Sequence, residues 1–268
     1  MIGQLVKWYV PDARVLDWRT LSNGATFIPP RTFGANYLWE ALPDLPCRPF
    51  TVTTHIDGRP ATIDGARAYK GRVGKAYEVV NDTLPPQFQT TMPGYAVNLP
   101  SVEVEYGRHV HDIDTRNREV LVSGVGRIPY DWLVSTVPLY ALLRMVGWRS
   151  LPLQYKPIWV KILACPPDSP VAEGDMYVNY LTGDVLPYRY TDRDGARHFE
   201  SLRHMPGSQE RILVPGKIYD HPAADSVRTR LLDRCIVCFG RYATWNSDEL
   251  THTSVNRILE WRHTWLRT

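Results

Sequence analysis

Two short stretches concentrate the residue types that hold anions. "YKGRVGK" (69–75) gathers Lys70, Arg72 and Lys75 around two glycines, and "PYRYTDRDGARHF" (187–199) sets Tyr188, Arg189, Tyr190 and His198 beside a turn. Guanidinium forks and phenol hydroxyls suit phosphate or carboxylate oxygens, while a solvated charged hairpin has the same composition, so both readings stand. "HVH" (109–111) has the period-two spacing that puts both imidazoles on one strand face, but no third ligand follows nearby and no metal site is expected. Cys235 and Cys238 form a CxxC inside the apolar run of "DRCIVCFG", and no second CxxC completes a zinc site. Two reduced core thiols are the expectation there.

A third pattern opens the chain. Gly3 lies at the head of a helical stretch, and Asp17 ends the strand-like "ARVLDW" (13–18). In a dinucleotide-binding unit a glycine lets the backbone approach a pyrophosphate at a helix N-terminus, and an acid at the end of the next strand takes the ribose hydroxyls. Gly3 and Asp17 fit the last glycine and that acid. Their separation of 14 residues is short, the usual spacing from the motif being about 20, so the intervening helix must be trimmed.

These residues need a scaffold, and the hydropathy pattern supplies one. "PFTVTTHIDG" (49–58) alternates as a strand entering a turn, within a region, 25–100, that otherwise predicts loops and short strands. "VEVEYG", "HVHDIDTRN" and "EVLVSG" alternate at period two between turn residues, the pattern of an antiparallel meander. "YDWLVSTVP" (130–138) is a buried strand stopping at proline, followed by the helix "LYALLRMVG" (139–147) with Gly147 as its stop. "IWVKILACP", "DMYVNYLTG" and "ARHFESLRH" predict further antiparallel strands, and "RCIVCFGRYATW" a buried strand leading to a last helix over 247–265, N-capped by Ser247.

Composition bounds the function. A chain of 268 residues, 44% hydrophobic, can bury a sizeable core. Lys plus Arg exceed Asp plus Glu by only 31 to 28, too little for an obligate duplex-DNA binder but compatible with an anionic small ligand. Apolar runs are too short to cross a bilayer, and Lys7, Asp12, Arg14 and Asp17 interrupt the place of a signal peptide, so a soluble cytoplasmic protein is expected.

The stretch from Gly3 through "PDARVLD", "STVP" at 135–138 and "FGRYATWNSDEL" at 239–250 resembles flavin adenine dinucleotide (FAD) proteins of the UDP-galactopyranose mutase and amine oxidase type, especially mutase-like proteins of bacteriophages. The resemblance implies an α/β fold with α+β insertions. An incomplete FAD/NAD(P)-binding Rossmann-like domain with an antiparallel meander would occupy 1–45, 100–150 and 208–268, and a mainly antiparallel substrate domain 46–99 and 151–207. The first strand and the first two glycines of GxGxxG would precede Met1, which would then lie inside the phosphate-binding loop.

By the same resemblance, Gly3 and Asp17 serve the pyrophosphate and ribose, and Thr136 and Val137 the adenine end. Gly240 and Arg241 lie next to the flavin or its diphosphate, while Glu249 and Leu250 aim backbone N–H groups at the flavin's pyrimidine edge. Arg72, Lys75, Tyr188, Arg189 and Tyr190 would hold the substrate. Three functions remain open: an amine oxidase acting on a small or base-attached amine, a mutase-like flavoenzyme on a sugar nucleotide, and an FAD-fold protein with a non-catalytic binding role.

Overall fold

The computed structural model describes residues 2–17, 27–28, 47–74, 84, 88, 91–97, 103–149, 151–206, 210–249 and 251–266. Lys75 and Leu250 lie outside the described residues. In chain order the elements are α1 (Ile2–Tyr9), β1 (Leu16–Asp17), β2 (Phe27–Ile28), β3 (Cys47–Ile56), β4 (Arg59–Pro60), α2 (Ile63–Arg72), β5 (Thr91–Val97) and β6 (Glu105–Tyr106). They continue with β7 (Val110–Asp114), β8 (Glu119–Val122), β9 (Gly126–Pro129), β10 (Leu133–Ser135), α3 (Leu139–Met145), β11 (Tyr155–Ala164) and β12 (Met176–Tyr180). The remainder are β13 (Arg189–Arg193), β14 (Ala196–Ser201), β15 (Glu210–Ile218), α4 (Ala223–Leu232), β16 (Ile236–Cys238), α5 (Arg241–Thr244) and α6 (Thr251–Trp265). The fold is mixed α/β with one large, mainly antiparallel sheet.

The chain divides into two compact units, the first built from Met1–Cys47, Val97–Tyr155 and Ile218–Thr268 and the second from Arg48–Ala96 and Lys156–Lys217. Strand β16 organises the first. Its residues alternate between two cores, which explains the unbroken apolar run in its sequence. Ile236 and Cys238 pack with Leu139, Leu142 and Leu143 of α3 and Val227 and Leu231 of α4. Val237 and the following Phe239 pack with Leu5, Val6 and Tyr9 of α1 and with Val255, Ile258 and Trp261 of α6. Phe239 is 1% exposed, so its truncation to alanine removes about 3–5 kcal/mol of packing. Two pairs in this unit are parallel, β1 with β6 and β10 with β16, the latter in register from Leu133↔Ile236 to Ser135↔Cys238. The meander β7–β8–β9 is antiparallel and turns Ile113, Val120 and Val122 into the first core.

In the second unit the sheet runs β15–β11–β14–β13–β12–β3–β5, with β4 on β3. The pair β12–β3 is parallel, where an antiparallel strand is expected from the sequence, because the chain leaves β3 and returns to its side only after the first unit's middle segment. Gly216 of β15 is forced by sterics: a Cβ there would sit 2.5 Å from the Ile158 backbone nitrogen.

The sequence is also corrected at three places. Among the described residues of "ARVLDW", 13–17, only Leu16 and Asp17 are paired. Residues 63–72, expected as loop or short strand, form α2, capped by Thr62 Oγ1 accepting the Gly65 N–H at 3.1 Å and anchored by Ala66 and Tyr69. The last helix starts at Thr251 rather than Ser247, whose N–H and hydroxyl both donate to Asp220, at 2.7 and 3.1 Å. Among the described residues no helix is long and apolar enough to cross a membrane.

Candidate functional site

The carboxyl ends of β10 and β16 lie side by side, joined by the Phe239 N–H donating to the Ser135 carbonyl at 3.1 Å. Beyond them come exposed Thr136, half-buried Val137, Gly240 and Arg241. In parallel α/β sheets ligands lodge outside such strand ends. Gly240 has φ +92° and ψ 148°, a conformation that strains any residue with a Cβ. Ser135 Oγ is buried and lacks a hydrogen-bond partner among the described residues. Arg241 is half-buried, and its guanidinium makes no ion pair or hydrogen bond among those residues.

Glu249 holds this turn in place. Its side chain is 1% exposed. Oε1 accepts the Gly240 N–H at 2.8 Å and the Ser254 hydroxyl at 3.0 Å, and Oε2 accepts the Arg257 guanidinium. Thr244 donates its hydroxyl to the Gly240 carbonyl at 3.0 Å, and Trp245 Nε1 donates to the Tyr219 carbonyl at 3.0 Å. The Glu249 N–H is itself taken by the Asn246 carbonyl at 3.2 Å, so the residue acts through its carboxylate. Sequence reasoning missed Ser254 and Arg257, although their i, i+3 spacing on the last helix was a usable signal. Gly3 lies in the first turn of α1 and Asp17 ends β1 opposite Tyr106.

The second unit brings a different set together beneath α2. Arg189 and Glu200 are cross-strand neighbours and pair directly, with side chains 31% and 21% exposed. The Tyr188 hydroxyl donates to Glu200 Oε2 at 2.7 Å. Lys217 Nζ lies 4.7 Å from the Tyr188 ring centre and 5.7 Å from that of Tyr69, Arg189 lies over Tyr180, and Lys70 Nζ sits 5.9 Å from the Phe88 ring centre. Arg72 donates to the Leu181 carbonyl at 2.6 Å and to that of Val185. Tyr69, Phe88 and Tyr180 pack edge to face, with Tyr69 and Tyr180 4.6 Å apart. The Arg189 and Lys217 charges thus both act on the Glu200 carboxylate, while Arg72 acts on the Tyr69 phenol. Burial pushes the Glu200 carboxyl upward, but the Arg189 charge and hydrogen bond, the Tyr188 hydroxyl and Lys217 together hold it below the usual range. Burial raises the Tyr69 and Tyr188 phenols far above theirs.

The structure therefore unites Lys70, Arg72, Tyr188 and Arg189 and turns Tyr190 away, since adjacent strand residues face opposite sides. On Tyr190's face Asp192, fully buried, accepts both Arg197 nitrogens at 2.6 Å and the Ser169 hydroxyl at 2.6 Å. Arg197 stacks 4.4 Å from the Tyr190 ring centre, Asn179 Nδ2 donates to the Tyr190 hydroxyl at 3.0 Å, and His55 Nδ1 meets the Tyr177 hydroxyl at 3.0 Å. Charges balance one for one there. Residues 69–74 of "YKGRVGK" are a helix end rather than a hairpin. The imidazoles of His109 and His111 share a face, 4.5 Å apart, and His111 bonds Ser123. Among the described residues no three His, Cys, Asp or Glu form a metal site, and Cys165, Cys235 and Cys238 are free thiols.

No family model matches this chain, and no curated protein does. Solved structures similar to it include reduced UDP-galactopyranose mutase, at 17% identity over 73% of this chain and 52% of that one, with a TM-score of 0.44. PqsL of Pseudomonas aeruginosa in complex with 2-aminobenzoylacetate shows 10% identity over 97% and 79%, TM-score 0.47. NikD, an unusual amino acid oxidase of nikkomycin biosynthesis, shows 14% over 87% and 74%, TM-score 0.41. The chain spans about half the length of the mutase.

Proposed function

We propose that this protein is an FAD-dependent oxidoreductase of the amine oxidase type, acting on a small or base-attached amine that carries an anionic group. The observation that carries the reading is Arg241: a half-buried guanidinium with no described partner, following a glycine of φ +92° at the carboxyl ends of two parallel strands. The residues present fit the cofactor. Arg241 would fork onto diphosphate oxygens, Gly240 lets the backbone approach, Ser135 Oγ offers a hydrogen bond it otherwise forgoes, and Thr136 and Val137 supply a polar edge and an apolar wall. Gly3 and Asp17 are assigned to the pyrophosphate and ribose on sequence grounds. Bound FAD would supply hydride acceptance from a C–H bond next to nitrogen.

In the second unit Arg72, Arg189, Lys70 and Lys217 would hold the substrate's anionic group, with Tyr69 and Tyr188 orienting it and Glu200 keeping Arg189 aligned. A mutase-like reaction on a sugar nucleotide is the second reading. It is favoured by the Arg72 and Arg189 guanidiniums beside the Tyr69 and Tyr188 phenols, groups that suit a diphosphate.

Flavin titration tests the first step. Arg241→Lys keeps the charge and loses the planar fork, so FAD affinity should fall about tenfold, while the melting temperature of the apo protein stays unchanged. Absence of flavin binding to the wild-type protein, or an unchanged affinity in the variant, would overturn the assignment.

A further inference from the structure

The first unit holds an open cleft of about 960 Å³ that the proposed function does not use. Its floor is apolar, from Leu143, Leu151 and Val227, and its rim carries Trp148, Arg149 and Arg230. Local backbone chemistry builds the rim. Helix α3 ends in a Schellman turn, with the Trp148 N–H donating to the Leu143 carbonyl at 2.9 Å, the Gly147 N–H to the Arg144 carbonyl at 3.1 Å, and Gly147 at φ +66°. That turn delivers Trp148 and Arg149 toward α4, where the Arg230 guanidinium stacks 4.7 Å from the Trp148 ring centre.

Neither arginine makes an ion pair or hydrogen bond among the described residues, and no carboxylate lines the cleft. Attraction to a helix C-terminus accounts for Arg230 in the last turn of α4, but Arg149 lies beyond the end of α3. The cleft is remote from Gly240: α3 starts where β10 ends and runs back, and α4 finishes just before β16 begins, with the Cys235 N–H donating to the Leu232 carbonyl at 2.9 Å.

We propose that this cleft binds a nucleoside 5′-phosphate unit, its base stacked at Trp148 and its phosphate held by Arg149 and Arg230. A planar ring, two guanidiniums with no described ion pair or hydrogen bond, Arg230 already lying against that ring, and an apolar floor match a flat base joined to a dianion, and the volume suits one such ligand. The unit comes either free or as part of a single strand.

Calorimetric titration with uridine 5′-monophosphate tests this, because uridylate lacks the adenine that the strand-end site would take. The wild-type protein should bind it at one saturable site, and the double variant Arg149→Ala, Arg230→Ala should bind at least about tenfold more weakly while melting at the wild-type temperature. Trp148→Leu should weaken uridylate and leave inorganic phosphate binding unchanged. Tighter binding of oligothymidylate than of the mononucleotide would support the site and name a single strand as its source; weaker binding would support it with the free nucleotide as source. The proposal fails if uridylate does not saturate, if inorganic phosphate alone binds as tightly, or if Arg241→Lys reduces uridylate binding while the cleft variants do not. None of these failures bears on FAD titration, which the cleft variants should leave intact.

Discussion

Two carboxylates, one in each unit, look alike in sequence and behave differently. Glu249 meets one guanidinium, one hydroxyl and one backbone N–H, so its charge is answered once and its remaining acceptor positions are filled by neutral donors. Glu200 meets Arg189 and the Tyr188 hydroxyl, yet the same aromatic cluster carries Lys70, Arg72 and Lys217 as well. The first arrangement is closed and fixes a turn. The second sets the Arg189 and Lys217 charges against one carboxylate among the rings of Tyr69 and Tyr188. A carboxylate–guanidinium pair is therefore no guide to function by itself; what surrounds it is.

The largest effect should come from opening the closed arrangement. Glu249→Ala leaves the Gly240 N–H and the buried Ser254 hydroxyl without an acceptor, which costs about 1–3 kcal/mol for each and lowers the melting temperature by roughly 2–4 °C for each kcal/mol. A calorimetric scan showing less than a tenth of that loss would mean Glu249 does not hold the turn. Next in size, Glu200→Gln should cost about 1.5–3 kcal/mol and, unlike any change at Glu249, tighten binding of inorganic pyrophosphate. Equal or weaker pyrophosphate binding would erase the distinction between the two sites.

Acid should then separate the units. Glu200 and Asp192 of the second unit both have carboxyls held below the usual range, Asp192 because Arg197 and Ser169 together outweigh the burial that pushes it up. Their stabilisation is complete above the unfolded carboxyl value of about 4 and is lost as pH falls through the lower folded values. Hydrogen exchange should show β13 and β14 of the second unit losing protection below about pH 4. The smallest effect is a reporter: burial, with Glu249 adding to it against Arg228 and Arg257, pushes the Cys238 thiol up to about 12. Glu249→Gln should speed alkylation of Cys238, and an unchanged rate would mean that the two groups do not sense each other.

Local features were legible in the sequence. The period-two runs gave β7 and β8, the apolar "CIVCF" gave β16, and Gly147 ends α3 in the left-handed conformation its position required. Asp57 and Gly58, both at positive φ, turn β3 into β4. What stayed hidden depends on partners far away in the chain. Asp220 takes Ser247 from 27 residues distant and so moves the start of α6. Lys217 and Glu200 gave no motif, because their meaning arises only when β14, β15 and α2 meet. Tyr190 and Arg189 are neighbours in sequence, and the alternation of a strand sends the two to opposite faces.

The parallel pairing of β3 with β12 has a consequence for synthesis of the chain. Met176 must find Val52, so the second unit's sheet cannot close until well over a hundred residues have left the ribosome. The first unit must wait longer still. Its central strand, β16, and the helix α6 that covers it emerge long after α1, their packing partner. Leu5, Val6 and Tyr9 are thus apolar surface without a core throughout that interval, and a nascent chain halted at residue 217 would hold the described strands of the second unit's sheet while α1 still lacked its cover.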